Sequence, residues 1–421
     1  MNQIIWHFGF YNEKSLSDEA KKGWLFAEDK EASELAESYT DNAISYIEGK
    51  MTNPPKGKKV TDADVAEWKG YVVFFNEWLK KVLLIPNNCE LLTQDNKFTD
   101  TVREKLRLLI RGHYLELSDE DWFIDYIKDT KKHYTNNKDY RIVQHFFNYK
   151  PFINQWRGKL MNATGINICP YCDRQYITSF HSNEKSTAEL DHFYYKEEFP
   201  LFSFSLFNFI PSCHTCNAVF KGTQQLYLYP YAMGIDNITR FVLIPHTDKK
   251  GSGKAKEREI SDAMVDLILG KKYDFSVEQA IRDDIDIIDL EKRCNELKLP
   301  KPQSKDAISL INDDIKNMKI DDIYQSHVEY ISDLLKIRRF YESPEYLDHV
   351  DKLLKKVIKN NSFHYPVTVQ RLRSFLIGAG SDDTNIIPQK RPLAKLTYAI
   401  LNNNYSLLFQ KKSEDSEKQE E

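Results

Sequence analysis

No stretch of this sequence approaches the roughly 18 uninterrupted apolar residues of a membrane span, which excludes an ordinary spanning helix. The amino terminus, MNQIIWHFGFYNEKS, has no basic region followed by a long apolar core, so a secretory signal is not expected. A soluble, cytoplasmic protein is the expectation. A basic excess is also missing. The formal net charge is −4, which excludes an overall basic balance but leaves open a basic face. There is no internal repeat. Six cysteines are too few for a disulfide scaffold, and a reducing compartment disfavours one.

The content points the other way, towards packed cores. Hydrophobic residues make up 41% of the chain and aromatics 13%, well above the level of a disordered protein. A length of 421 residues accommodates two or three domains. Before residue 160 the periodicity is helical. Trp68, Val72, Phe75, Leu79 and Val82 form one stripe, opened by a Thr61-x-x-Asp64 cap and stopped at Pro86. Val102, Leu106, Leu109 and Ile110 form another, and Ser118-x-x-Asp121 suits a helix start at Trp122. NPPKGKK, residues 53–59, reads as an exposed basic loop.

From about 165 to 232 the texture changes to short strand-like runs with clustered aromatics. A flexible basic loop, KKGSGKAKER at 249–258, follows. Helical stripes then return at Val328, Ile331 and Leu335, and at Leu347, Val350, Leu354, Val357 and Ile358. The division expected is an N-terminal helical domain (1–160), a small mixed module (161–235), a C-terminal helical domain (236–410) and a disordered charged tail (411–421). The fold class is α+β, mainly helical.

The cysteines are concentrated in the module. CPYC supplies Cys169 and Cys172, and CHTC supplies Cys213 and Cys216, with 40 residues between the pairs. Two Cys-x-x-Cys knuckles present four thiolates, the donor set of tetrahedral structural zinc. A thioredoxin-type redox motif would be one such pair in a βαβ context, which is absent. His214 lies within the second knuckle and is an alternative ligand. A zinc held by four cysteines has no open position, so chemistry must come from other residues.

Inside the 40-residue excursion stands ELDHFYY, residues 189–195, which sets Asp191 beside His192. By itself such a pair is more often an ordinary buried polar contact. Its surroundings carry a resemblance. ELDHF, LFNFIPSC and CHTCNAVFKG, in that order, resemble the HNH nuclease motif in a zinc-stapled ββα-metal fold, over about a sixth of the chain. The family's Asp-His pair matches Asp191 and His192, its loop Asn matches Asn208, and its helix-opening His or Asn matches Asn217. Fifteen residues separate His192 from Asn208, and eight separate Asn208 from Asn217.

The resemblance implies a metal-dependent endonuclease that hydrolyses DNA to 5′-phosphate and 3′-hydroxyl ends. His192 would take the proton of the attacking water, as a neutral imidazole can near pH 7. Asp191 and Asn217 would hold Mg²⁺ or Mn²⁺, hard ions that prefer oxygen donors. Asn208 would complete the catalytic set by fixing the loop and the His192 backbone. Lys196 and Lys221 are candidate phosphate contacts, with the solvated-lysine reading beside it. Adjacent strand residues point to opposite faces, so the arrangement needs His192 towards water and Asp191 turned towards the helix bearing Asn217.

Two positions depart from the family pattern. Asn217 stands where many members have His, and Tyr195 stands where a Pro is frequent. Between 165 and 230 there are four Lys/Arg against six Asp/Glu, so DNA would need the basic loops at 53–59, 130–138 and 249–258, or a partner. YPY at 229–231 and RPLAKL at 391–396 are similar to stretches of larger HNH proteins of Septu-like antiphage defence, which implies an ABC- or SMC-like ATPase partner. Two other readings stay open. One is a non-catalytic zinc ribbon that binds nucleic acid or protein, and the other is an RNase, since nothing in the motif reads a 2′-hydroxyl. The helical arms suit a scaffold gripping a partner, which is compatible with the nuclease.

Overall fold

In the computed structural model, which describes residues 30–57, 59–111, 138–164, 166–180, 185–197, 199–230, 239–246, 275–281, 304–343, 345, 348–349, 352, 392–401 and 405–407, the chain is a mixed α+β protein, mainly helical. It divides into two compact units. The first is Met1–Tyr171 with Ile177–Gly234 and Asp286–Asp314; the second is Cys172–Tyr176 with Ile235–Ile285 and Ile315–Glu421.

The first unit begins with helix α1 (Lys30–Thr52), whose Ala36, Tyr39, Ala43, Ile44, Ile47 and Met51 are buried at helical spacing. Helix α2 (Asp62–Val82) starts where the cap predicts: the Thr61 hydroxyl accepts from the Asp64 amide and the Asp64 carboxylate accepts from the Thr61 amide. Such a box is worth about 1 kcal/mol. Phe75, Leu79 and Val82 face the core. Helix α3 (Asp100–Arg111) buries Val102, Leu106, Leu109 and Ile110, the stripe read from the sequence. The helix starting at Trp122, the stripe from Leu347 to Ile358 and the charged tail lie outside the described residues, as does the loop at 249–258.

Three further helical segments, α4 (Lys138–Phe146), α5 (Lys150–Ile153) and α6 (Arg157–Thr164), lead into the module. There the chain forms a two-stranded ribbon, β1 (Ser179–Phe180) with β2 (Lys185–Ser186). Strand β3 (Glu189–His192) then pairs antiparallel with β4 (Phe209–Ser212), placing Asp191 opposite Ile210 and His192 opposite Phe209. Two 3₁₀ turns, Pro200–Phe204 and Leu206–Asn208, join them. A π-helical turn, Thr215–Lys221, follows β4 and closes at Gly222, whose φ of 52° lies in the left-handed region suited to glycine. The order is strand, strand, helix.

The module's own aromatics pack together, with Tyr194 against Phe193, Phe199 and Phe202, and further ring contacts join it to the preceding helices. Its Phe204 and Phe209 are fully buried, and they meet aromatics from the preceding helices. The Tyr39 ring lies edge-on to Phe152 at 5.3 Å, Trp156 at 5.4 Å and Phe209 at 6.5 Å. Phe152 and Phe147 approach Phe204 at 5.5 and 6.1 Å. Because it is buried, the Tyr39 hydroxyl needs a partner, and it donates to the Phe204 carbonyl at 3.0 Å. Residues 177–230 therefore share one unit with the N-terminal helices, where the sequence reading drew a boundary at 160.

Helix α7 (Ser304–Asn317) contributes to the first unit through Asp314. Its carboxylate accepts from the Tyr227 amide at 2.8 and 3.0 Å and from the Leu228 amide at 2.7 Å.

The second unit holds a sheet in a region expected to be helical. Strand β5 (Thr239–Pro245) lies between β6 (Phe275–Ile281), antiparallel, and β7 (Tyr405–Leu407), parallel. The FVLIP portion of β5, residues 241–245, is a short continuous apolar run, which periodicity alone does not distinguish from a buried helix segment. The open edge of β6 is covered by side chains of helix α8 (Ile320–Gln325). Gln325 accepts from the Val277 amide at 2.7 Å, and Asp321 accepts from the Gln279 amide at 2.8 Å. That satisfies edge groups that would otherwise recruit another strand. Helices α9 (Val328–Glu342), with Ile331 and Leu335 buried, and α10 (Ala394–Leu401) complete the unit.

The Asp314 contact carries a pH signature. Burial pushes its carboxyl up to about 7, against the hydrogen bonds from Leu228 and Tyr227. A carboxyl raised in the folded state stabilises the fold below its unfolded pKa of about 3.9, and that contribution is lost as pH rises through about 7. Denaturant melts from pH 4 to 7 should show wild type losing stability relative to Asp314→Asn, by up to about 1.4 kcal/mol per pH unit. Parallel curves for the two proteins would contradict the assignment.

Candidate metal centre and the β3–helix site

Cys169, Cys172, Cys213 and Cys216 are all buried, with every sulfur within 4.8 Å of the others. None of the four forms a disulfide. A tetrahedral zinc with Zn–S bonds of about 2.3 Å places sulfurs about 3.8 Å apart, so a small contraction closes the site. The Cys216 amide points at Cys213 Sγ at 3.5 Å, a contact that favours a thiolate there. The donor set and spacing fit zinc. His214 is not part of the cluster: its ring is 71% exposed and its Nδ1 lies 2.7 Å from Glu189 Oε1.

Across the module, two side-chain rungs join β3 to the π-helical turn. Strand alternation puts Glu189 and Asp191 on one face. The turn presents Asn217 and, four residues on, Lys221. In the first rung Asn217 Nδ2 donates to Glu189 Oε2 at 2.7 Å. In the second, Lys221 Nζ donates to Asp191 Oδ1 at 3.0 Å and to the His192 carbonyl at 2.9 Å. Tyr171 donates to Asp191 Oδ2 at 2.6 Å.

The two rungs differ in exposure. The Asp191 and Lys221 side chains are 4% and 0% exposed. Burial drives the Asp191 carboxyl up, and the Lys221 ammonium and the Tyr171 hydroxyl pull against it. The Glu189 side chain is 33% exposed. Burial pushes its carboxyl up, but hydrogen bonds from His214 and Asn217 outweigh this and hold it below the usual range. The same contact with Glu189 raises the His214 pKa.

His192 leaves the opposite face of β3. Its Nε2 lies 3.1 Å from the Ser203 carbonyl. A carbonyl only accepts, so Nε2 carries the proton and Nδ1 keeps the lone pair. Tyr149 and Phe209 pack edge-on to the ring at 4.4 and 5.1 Å. The residue is 5% exposed, where the sequence reading turned it towards water. Burial, helped by Lys196 and Lys221 and opposed by the Ser203 contact, pushes its pKa down to about 3, so the ring is neutral at pH 7.

Asn208 latches the connecting loop. Its Oδ1 accepts from the Tyr194 amide at 2.7 Å, and its Nδ2 donates to the Tyr194 and Phe202 carbonyls at 3.0 and 3.2 Å. Its own carbonyl accepts from the Phe193 amide, next to His192.

Asp191 does turn towards the helical turn, but it meets Lys221 there and not Asn217. Lys221, a candidate phosphate contact, is buried against Asp191 and the β3 backbone. Lys196 is half-buried, over the Tyr195 ring at 5.2 Å. Burial lowers its pKa, Glu197 opposes, and Lys150 adds to the lowering. Arg157 stands near enough to Glu189 to lower its pKa. Lys150, Arg157, Tyr171, Glu189 and Ser203 were not singled out from the sequence. Only Glu189, two residues before Asp191 on a strand, carried a local signal.

No protein-family model matches the chain, and no curated protein or solved structure matches it either.

Two measurements test this geometry. Metal analysis of the purified protein should give one zinc per chain, and Cys213→Ser should lose it together with a large drop in melting temperature. Lys221→Met should cost about 3–5 kcal/mol by leaving a buried carboxylate unpaired, while adding Asp191→Leu should recover part of that loss. An additive double variant would mean that the two side chains do not interact.

Proposed function

We propose that this protein is a phosphodiester hydrolase acting on DNA, an endonuclease of the HNH type with a zinc-stapled core. The observation that carries the reading is the state of His192. The Ser203 carbonyl holds the proton on Nε2, and burial keeps the ring uncharged. A neutral imidazole with a fixed tautomer is what a base needs in order to take a proton from water.

The surroundings support this reading. Lys150 lies close enough to Lys196 to help lower its pKa, and Arg157 stands near Glu189. These cations suit the phosphates on either side of a scissile bond. Asn208 holds the loop after His192, so the ring has a fixed base. The cysteine cluster, being a closed donor set, would maintain shape and take no part in the reaction.

A divalent cation, Mg²⁺ or Mn²⁺, belongs to this reading and would neutralise charge developing on the phosphate. The expected ligand pair, Asp191 with Asn217, does not fit it. Such ions keep several waters, whereas Asp191 is almost fully buried, with Tyr171 and Lys221 on its two oxygens. No step is assigned to an ion held there. The effector role beside an ABC- or SMC-like ATPase is part of the proposal and rests on the resemblance at 229–231 and 391–396.

One observation favours a second reading, a zinc module that binds without cutting. A base with a pKa near 3 is weak, and the Asp191–Lys221 pair stabilises structure without needing a substrate.

Cleavage of supercoiled DNA and of a matched RNA, with Mn²⁺ present, separates these readings. The nuclease predicts DNA cutting that falls by about a hundredfold or more in His192→Ala, the usual scale for losing a general base, with zinc retained. RNA cut in preference to DNA would make it an RNase. Cutting unchanged in His192→Ala would remove His192 as the base, and no cutting by wild type would leave the binding module.

A further inference from the structure

We propose that Tyr149, carried by the helices that precede the module, donates its hydroxyl hydrogen to a backbone phosphate of DNA bound beside His192, with Arg157 supplying positive charge. The proposal deepens the nuclease reading and rests on it for the part this contact plays in hydrolysis, but the binding itself stands on the geometry around Tyr149.

Two rings pack edge-on to His192, and they differ in exposure. Phe209 is fully buried. Tyr149, whose ring centre lies 4.4 Å from that of the imidazole, is half-buried. Of the two, Tyr149 is therefore the one that a ligand in solvent can touch. Its hydroxyl is also unengaged. The buried Tyr39, Tyr171 and Tyr229 donate to the Phe204 carbonyl, the Asp191 carboxylate and the Phe207 carbonyl. Among the described residues nothing hydrogen-bonds the Tyr149 hydroxyl. Burial raises its pKa, Arg157 opposes and Asp191 adds to the rise, so the phenol keeps its proton at neutral pH. A phosphate oxygen accepts, and tyrosine hydroxyls are among the groups that bond it.

The backbone that carries Tyr149 is pinned. On α1, Lys50 Nζ donates to the His145 and Asn148 carbonyls at 2.9 and 3.1 Å, and the Tyr46 hydroxyl donates to the Asn148 carbonyl at 3.3 Å. Gln144 Nε2, on α4, donates to the Glu197 carbonyl at 3.4 Å, which ties that helix to the segment following Lys196. A donor held in this way loses little further freedom on binding. The nearby charges suit the same ligand. Lys150, Arg157 and Lys196 form no ion pair with any described residue, and Arg157 is close enough to act on Tyr149. A guanidinium that no carboxylate occupies is well matched to phosphate.

The test uses the full chain with zinc bound and a short fluorescein-labelled DNA duplex, with no other metal added. Binding is read by fluorescence anisotropy over a range of salt. Tyr149→Phe keeps the ring against His192 and removes only the hydroxyl. It should bind about tenfold more weakly, the scale of one hydrogen bond to a charged group. Its melting temperature should match wild type, and so should its salt dependence, because a neutral hydroxyl releases no counterion. Arg157→Gln should also weaken binding, and should lower the salt slope by about one. Tyr176→Phe alters an exposed tyrosine that is not part of this site and should bind like wild type. Wild-type affinity in either Tyr149→Phe or Arg157→Gln would overturn the proposal. So would a loss in Tyr149→Phe that comes with a lower melting temperature, or no binding by wild type at low salt. Weaker binding by Tyr149→Phe, in a protein that cuts nothing once Mn²⁺ is added, would keep this contact and discard the nuclease reading.

Discussion

The tie between β3 and the helical turn after β4 is the constraint on which the rest of the module depends. A hairpin of two four-residue strands is too short to persist by its own hydrogen bonds. Two attachments hold it. The cysteine cluster joins the ends of the 40-residue excursion, and the Lys221–Asp191–Tyr171 contact joins the strand to the turn from inside. Both are buried, and each is costly to leave incomplete: an unpaired carboxylate in one case, uncoordinated thiolates in the other. The surrounding aromatic packing, Tyr39 and Phe152 against Phe204 and Phe209, adds to the apolar burial of the module's own rings.

That constraint divides the polar residues of the motif into those that hold shape and those left for chemistry. Asp191 and Lys221 compensate each other in the interior. Asn208 is consumed by the backbone of the loop it latches. His192 is placed on the opposite face with its tautomer set by Ser203. Glu189, Asn217 and His214 form the solvent-reaching end of the same strand–helix junction.

Much of this was legible locally. Thr61 and Asp64 announce a helix start because both partners of a capping box lie three residues apart. The cysteine pairs announce a metal site because each knuckle is a short-range pattern with few other uses. The stripes on α2 and α3 follow from the 3.6-residue period. What escaped depends on contacts between distant positions. Tyr171 meets Asp191 across 20 residues and Asp314 meets Tyr227 across 87, and no periodicity encodes either. The stripe on α1, from Ala36 to Met51, was regular enough to find and was not marked. β5 was ambiguous in principle, since seven mostly apolar residues suit a buried strand or a helix segment. The Asp191–Lys221 pairing needed the helical turn's phase, which the motif's spacing does not state.

The proposed nuclease needs two different metals, one held by the cysteine cluster to maintain the module and an exchangeable divalent ion for hydrolysis. The most direct test is cleavage of supercoiled DNA by protein that contains one zinc per chain and no other metal, before and after Mn²⁺ is added. The account predicts no cutting before, cutting after, and unchanged zinc content throughout. Full-rate cutting with zinc alone, or Mn²⁺-driven cutting that requires displacement of the zinc, would contradict it.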